Sequence, residues 1–205
     1  MKLPTTRMLY SYWNDVRGRR LAPSRFEIDP SRIGPILSET FILERGSGRT
    51  FPFRLAGTRI CEQLGRELRG TDFLSLVGED RRVVNKALDA VTNEGAALVI
   101  EIDGTSADGR STSFEAILLP LVHPAAEVTR YLGALAPVDP PAWQGVEPIV
   151  ETTLAAHDVI WPEGRSFSFS QSAERQLPFV PELAAARVVR SARRQFRILD
   201  GGRKE

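Results

Sequence analysis

The sequence predicts an α+β fold in which an antiparallel five-stranded sheet carries helices on one face. The order of the predicted elements leads to this conclusion. Two short strands come first, then a glycine-rich helical stretch and a long amphipathic helix, and three longer strands close the domain. Because the connections between neighbouring strands are short, we expect these strands to pair antiparallel. An N-terminal helix and a C-terminal extension are expected to flank the domain.

The N-terminal segment, residues 1–20, is predicted to be an amphipathic helix. Gly18 is a suitable residue to end it. Its apolar side chains fall on one stripe at helical spacing: Leu9, Tyr12, Trp13 and Val16. Such a stripe either packs on the core of the domain or forms a contact with another protein, where aromatic residues are enriched.

Two strands are predicted next, at residues 40–45 and 50–56. Phe51, Phe53 and Leu55 alternate with other residues, as in a strand with one buried face. The glycine-rich residues 46–48 form the turn of a hairpin. Before them, Asp29-Pro30 predicts a helix start, with Asp as the N-cap and Pro in the first turn.

A broken helical stretch follows this hairpin. Apolar residues recur at helical spacing between residues 57 and 77, but Gly65 and Gly70 interrupt the path. A longer helix is predicted after Asp80, with a buried stripe that Gly95 ends. Three strands are then predicted at residues 96–103, 112–122 and 128–135, which completes the five.

The stretch around residue 60 carries a resemblance to a known family. The run GTRICEQLGRELRGTDF at residues 57–73 resembles the core of a PAS domain. A closer resemblance is to a single-PAS subfamily of alphaproteobacteria. Its members pair a Tyr-Trp helix, here Tyr12-Trp13, with a Phe-Arg-Leu-Ala-Gly-Thr strand, here residues 53–58. The resemblance covers about Leu9 to Pro137 and implies the PAS fold and a role in signalling.

With the resemblance, the chain divides into four predicted parts. Residues 1–20 form the N-terminal helix, and residues 21–137 form the PAS domain. Residues 138–148 are rich in proline and form a linker. Residues 149–205 are a partly ordered extension.

The extension itself is harder to interpret from its sequence. Residues 149–160 fit a strand or a strained helix, and residues 166–172 are interpreted as a loop. Residues 183–199 fit a basic amphipathic helix, with a short strand at residues 196–199 as the alternative.

Composition excludes several classes of function. The net charge is +1, so no strong overall field attracts nucleic acid or acidic lipid, and nucleic-acid binding is expected to be unlikely. One cysteine fits a reducing compartment, and no apolar run is long enough to span a bilayer, so a cytoplasmic location is expected. Only two histidines are present, and no nucleophile has an identifiable base, so no enzymatic activity and no metal site are expected.

No cofactor is expected either, because the sequence lacks the residues that cofactor-binding PAS domains use. Flavin-binding PAS domains carry a reactive cysteine in an Asn-Cys-Arg-Phe-Leu-Gln run, whereas Cys61 lies earlier and in a different context. Haem-binding PAS domains take a histidine from the long helix, and residues 80–92 contain none. Cys61 is therefore interpreted as a small apolar residue.

Two groups of candidate site residues follow. The residues that would line a small pocket between sheet and helices, or else form a packed core there, are Phe53, Leu55, Cys61, Leu64, Phe73, Leu88, Phe114 and Leu132. The residues that would contact a partner are Tyr12, Trp13, Arg59 and Arg66.

The predicted function is that of a signalling module that works through protein–protein contact. The resemblance implies a histidine kinase or another PAS protein as the partner, with a homodimer also possible. The alternative is a sensor that binds an apolar metabolite in the pocket.

Overall fold

The computed structural model describes residues 1–123, 127–162, 166–170, 188–190 and 195–197. Residues 1–171 form one compact unit and residues 172–205 form a second.

The first unit is built on an antiparallel sheet of seven strands in the order β2-β1-β5-β4-β3-β6-β7. The strands are β1 (Thr40–Glu44), β2 (Phe53–Ala56), β3 (Ala97–Ser106), β4 (Ser111–His123), β5 (Glu127–Val138), β6 (Ile149–Ile160) and β7 (Ser166–Ser170). The first five are the five strands predicted from the sequence. The sheet therefore confirms the predicted α+β fold and extends it by two strands.

Within the described residues, three α-helices and two long 3-10 segments accompany the sheet. The helices are α1 (Pro4–Arg17), α2 (Thr58–Leu64) and α3 (Arg81–Glu94), and the 3-10 segments are Pro30–Glu39 and Phe73–Asp80. Gly65 and Gly95 end α2 and α3 in the left-handed conformation, which glycine adopts at little cost. Asp29 caps the first 3-10 segment by accepting from the backbone N–H of Ser31, as predicted.

The sheet is covered on both faces. On the inner face, α2, α3 and Phe73–Asp80 pack over the sheet to form the roof core, which includes Phe41, Phe53 and Phe114. On the outer face, α1 and Pro30–Glu39 pack over a separate outer core, which includes Trp13 and Leu132. The roof helices thus share one face, as predicted, and the N-terminal helix covers the opposite one.

Strand β6 continues the domain beyond the predicted linker. It pairs with β3 over almost its whole length, from Ala97 opposite Ile160 to Ser106 opposite Ile149. Leu154 and Val159 are buried in the roof core. The sequence left residues 149–160 open between strand and helix, and the structure shows a strand.

The structure corrects one prediction for the extension and decides between the alternatives in another. Residues 166–170 form β7, which pairs with β6, whereas a loop was predicted. In the second unit, β8 (Val188–Arg190) pairs antiparallel with β9 (Gln195–Arg197), so these residues are not helical, and β9 overlaps the alternative of a short strand at residues 196–199. The rest of the range predicted as a basic helix lies outside the described residues.

The first prediction concerns Gly133, which lies on β5 between its neighbours β1 and β4. A Cβ added at Gly133 would meet the ring of Phe41 and lie 2.6 Å from the carbonyl oxygen of Ile117. Because the ring and the backbone are both held in the core, we expect Gly133→Ala to lower the free energy of unfolding by about 2–3 kcal/mol.

Urea denaturation measures this loss. Gly34→Ala is the matched control, because its added Cβ meets no atom within 4 Å. Equal stability of the two variants would contradict the packing described for Gly133.

Candidate functional site: the helix on the outer face of the sheet

One side of helix α1 packs on the outer face of the sheet. Its buried residues are Thr6, Leu9, Tyr12 and Trp13, which fall on one stripe. Pro4 starts the helix, where its missing N–H costs nothing, and Gly18 ends it. The opposite side, with Arg7, Met8, Ser11 and Asp15, faces solvent.

Trp13 anchors the helix in the outer core. Its side chain is fully buried, and its indole N–H donates to the carbonyl oxygen of Pro120 at 2.8 Å. Pro120 lies in β4 beyond the last residue that pairs with β3, so this carbonyl needs a donor from outside the sheet. Arg17 places its guanidinium over the Trp13 ring, 5.4 Å from the centroid.

Tyr12 connects α1 to the 3-10 segment that follows Asp29. Its hydroxyl accepts from the backbone N–H of Asp29 at 2.7 Å and donates to the carbonyl oxygen of the same residue at 3.3 Å. Arg32 lies over the Tyr12 ring. These contacts fix α1 against a second element as well as against the sheet.

The buried carboxylate of Glu115 on β4 forms hydrogen bonds with residues at the start of α1. Only 1% of Glu115 is exposed. It accepts from the backbone N–H groups of Lys2 at 2.6 Å and Leu3 at 3.0 Å, and from the hydroxyl of Thr6. Burial alone raises the pKa of Glu115, but the bonds from Thr6, Leu3 and Lys2 outweigh it and hold this pKa below its usual range.

The predicted contact residues Tyr12 and Trp13 are therefore not available on the surface. Their exposed fractions are 6% and 0%, because both rings pack against the sheet and its neighbours. The prediction that these two side chains touch a partner is corrected. They position α1, and any contact made by this helix uses its solvent-facing side.

The predicted pocket residues separate into three places. Five of them lie together in the roof core: Phe53, Leu64, Phe73, Leu88 and Phe114. Cys61 is half-buried at the edge of that core, with its Sγ 3.8 Å from Glu67 Oε1. Leu55 and Leu132 do not belong with them, because Leu55 on the edge strand is 49% exposed and Leu132 lies in the outer core.

The space between the sheet and the roof is occupied by aromatic rings. Phe41, Phe53 and Phe73 are in mutual contact, with centroids 5.4 Å, 5.7 Å and 5.8 Å apart. All three are at most 1% exposed. At the place of the predicted pocket, the side chains therefore pack against each other, as in the alternative of a packed core.

Clefts open at the surface of the described part of the first unit. The helix-start cleft, of about 410 Å³, is lined by Leu3, Pro4, Thr5, Glu39, Arg59, Gln63, Ala136, Pro137, Pro140 and Gln144. The edge cleft, of about 450 Å³, is lined by Arg66, Ser75, Val77, Gly78, Glu79, Asp80, Val150, Glu151, Thr152 and Thr153. None of the predicted pocket residues lines either cleft, but Arg59 lines the first and Arg66 the second.

The helix-start cleft contains polar groups held in place by neighbours. Arg59 donates to Glu39 Oε1 at 2.9 Å, and the hydroxyl of Thr5 donates to Glu39 Oε2 at 2.7 Å. The side-chain oxygen of Gln63 and the side-chain nitrogen of Gln144 are buried and have no hydrogen-bond partner in the described part of the chain.

Glu115 was missed by sequence reasoning, although the sequence contains a signal. It is the one acidic residue within the otherwise apolar strand sequence FEAILLPLV at residues 114–122. A buried strand tolerates a carboxylate only where donors reach it. The donors lie more than a hundred residues away in sequence, so the partner could not be identified from spacing.

The fold and this site define a class of protein: an α+β domain whose sheet is roofed on one face and covered by an N-terminal helix on the other. Residues 1–136, more than half of the chain, match the family model described as PAS domain. The protein therefore belongs to the PAS domain family, a family of sensory and signalling modules.

Solved structures with similarity to this chain include light-oxygen-voltage and PAS domains. One, from a study of a flavin analogue in a light-oxygen-voltage domain, has 19% identity and a TM-score of 0.42 and covers 54% of this chain and 87% of its own. The light-oxygen-voltage protein of Rhodobacter sphaeroides has 13% identity and a TM-score of 0.40, with 56% and 71% covered. A PAS domain from Colwellia psychrerythraea has 16% identity and a TM-score of 0.37, with 48% and 86% covered.

No curated protein matches the sequence significantly. Within the part of the chain that the structure describes, no helix has the length and apolar character needed to cross a membrane.

The second prediction concerns Glu115. Because its pKa is lowered in the folded state, the stabilisation that it contributes is present above the pKa of the unfolded chain and is lost as the pH falls through the folded pKa. Glu115→Gln places an amide nitrogen among hydrogen-bond donors. We expect a loss of about 1–3 kcal/mol in the free energy of unfolding at pH 7 and a weaker dependence of stability on acid.

Denaturation with urea at several pH values between 3 and 7 measures both effects. Glu62→Gln, at an exposed residue of α2, is the control and should change neither. An unchanged stability of Glu115→Gln at pH 7 would show that the carboxylate does not hold α1.

Proposed function

We propose that the protein is a non-catalytic signalling module that acts through protein–protein contact, with a sensor histidine kinase or another PAS protein as its partner. The observation that supports this most is the packing of Phe41, Phe53 and Phe73 between sheet and roof. Because side chains of the domain itself pack in the interior, we expect this PAS domain to transmit a signal through contacts at its surface.

The solvent-facing side of α1 is the surface that we assign to this contact. The helix is fixed by Trp13, Tyr12 and Glu115, so the backbone that carries its outer side chains is held in place. A pre-organised surface loses little conformational entropy when it binds. Met8, 43% exposed, supplies apolar area at the centre of this side, and Arg7 beside it supplies charge.

The finer assignment, to the alphaproteobacterial single-PAS subfamily, belongs to the same proposal. Its support is the pairing of Tyr12-Trp13 with the strand sequence FRLAGT. In the structure the first segment anchors α1 and the second forms β2 and the start of α2.

A second candidate function is the sensing of a small ligand, and the helix-start cleft favours it. Gln63 and Gln144 each keep one buried polar atom without a partner among the described residues, which costs free energy until a ligand or water supplies a hydrogen bond. Native mass spectrometry of the purified protein distinguishes the candidates. A retained small molecule that is lost in Gln144→Ala supports the sensor, and the bare mass supports the contact module.

The third prediction tests α1 as the contact surface. We expect Arg7→Glu and Met8→Asp to weaken capture of purified sensor kinases or PAS proteins of the source organism about tenfold, because both change the solvent-facing side alone. Lys86→Glu, at an exposed residue of α3 on the roof side, is the matched charge-reversal control and should bind as the wild type does.

Unfolding curves of the variants show whether the fold is retained. Binding that is the same in Arg7→Glu, Met8→Asp and wild type would exclude this side of α1 as the contact surface.

A further inference from the structure

The charges of the first unit are unevenly distributed. Residues 1–38, here called the outer layer, comprise α1 and most of the 3-10 segment that packs over the outer core. They carry seven basic and three acidic side chains, a net charge of +4. Residues 39–171, which supply the sheet and the roof, carry twelve basic and nineteen acidic side chains, a net charge of −7. The outer layer is therefore the basic part of an otherwise acidic unit.

Most arginines of the outer layer are not neutralised by a neighbouring carboxylate. Arg20 pairs with Glu27 and donates to the carbonyl oxygen of Val16, so its role is to hold the end of α1. The other arginines of the layer form no ion pair with a described residue. These five are Arg7, Arg17, Arg19, Arg25 and Arg32. Their positive charge is left uncancelled within the described part of the chain.

Two of these arginines are held in place by buried aromatic rings. Arg17 lies over the ring of Trp13 and Arg32 lies over the ring of Tyr12, each 5.4 Å from the ring centroid. Hydrogen bonds from its Nε and Nη1 hold the guanidinium of Arg17 further and leave its Nη2 without a partner among the described residues. A guanidinium that is already positioned loses less side-chain entropy when it binds a carboxylate.

Arg7 and Met8 lie between these two guanidiniums on the helix surface. At about 3.6 residues per turn, both project from the solvent-facing side of α1, between the directions of Tyr12 and Arg17. Met8 therefore offers apolar area between positive charges. Asp15 is the one acidic side chain in the sequence of α1. This side of the helix thus suits a ligand that combines several carboxylates with an apolar group.

We infer that the outer layer binds an acidic segment of a partner protein. Carboxylates of that segment pair with Arg7, Arg17 and Arg32, and an apolar side chain of the segment contacts Met8. Arginine suits this role because its planar guanidinium binds a carboxylate through two parallel hydrogen bonds. The inference rests on the proposed function and adds the chemistry of the partner to the contact surface assigned there.

Nucleic acid, a membrane and a second copy of the chain fit this surface less well. The first unit as a whole carries a net charge of −3, so its sheet and roof repel an extended polyanion. A short acidic segment meets the outer layer alone, because charges more than about 8 Å apart are largely screened at physiological salt. A second copy would join the outer layer of one molecule to the acidic part of the next, in a head-to-tail contact that closes only as a ring.

The binding experiment uses the full chain and the labelled peptide acetyl-Glu-Leu-Glu-Glu-Leu-Asp-Glu-Leu-amide, followed by fluorescence anisotropy at low salt. We expect this peptide to bind, with an affinity that falls as salt is added, and the peptide with glutamine and asparagine in place of the acids not to bind. The double variant Arg7→Glu/Arg32→Glu should weaken the affinity about tenfold. The matched control is Arg82→Glu/Lys86→Glu, at two exposed residues of α3, which changes the net charge equally and should bind as the wild type does.

The same assay contains the outcomes that overturn the inference. No binding of the acidic peptide would overturn it directly. Equal weakening in the two double variants would do so as well, since net charge alone would then explain the affinity. Tighter binding of a short DNA duplex or of phosphatidylserine vesicles at physiological salt would make the surface a general polyanion site. Salt-sensitive self-association in sedimentation velocity that is lost in Arg7→Glu/Arg32→Glu would place a second copy there instead.

The outcome for the proposed function is read independently. If a kinase or PAS protein is captured through Arg7 and Met8 but the acidic peptide does not bind, the proposed function stands and the acidic chemistry fails. If the peptide meets every expectation but no kinase or PAS protein binds the chain, the assignment of the outer layer stands and the proposed function fails.

Discussion

The carboxylate of Glu115 is the group on which the arrangement of the sheet and its N-terminal helix depends. Strand β4 lies near the middle of a sheet that is buried on both faces, and a charge there requires donors. Lys2 and Leu3, which directly precede α1, and Thr6 in its first turn supply them. Because the carboxylate needs α1 and the apolar stripe of α1 needs the sheet, each stabilises the other.

This mutual dependence determines where function can lie. The outer face is closed by α1, and the inner face is closed by the roof and by the rings of Phe41, Phe53 and Phe73. Among the described residues, the places that remain are surfaces, such as the solvent side of α1 and the helix-start cleft. The function proposed for this PAS protein follows from that distribution, as a contact module with its contacts on the outside of a filled domain.

The sequence was sufficient for the first five strands and the roof, but not for the two added strands or the assignment of faces. Alternation in strands and a run of glycine-broken turns predicted the five strands and the roof. The alternation of apolar residues along a strand does not show which face of the sheet is covered by the roof. Leu132 was therefore predicted to lie with Phe53, although it lies in the outer core on the opposite face of the sheet. The apolar stripe of α1 with Tyr12 and Trp13 fitted either a core or an interface. Residues 149–160 mix β-branched residues with alanine and histidine, and only pairing with β3 decides that they form a strand.

The central claim is that α1 is part of the folded domain and is held on the sheet. Hydrogen exchange measured by mass spectrometry on the intact chain at pH 7 tests it directly. The account predicts that the amides of residues 8–17 are protected to nearly the same degree as those of β4, because they open only when the domain unfolds. Exchange in this segment at the rate of an unstructured peptide would contradict it.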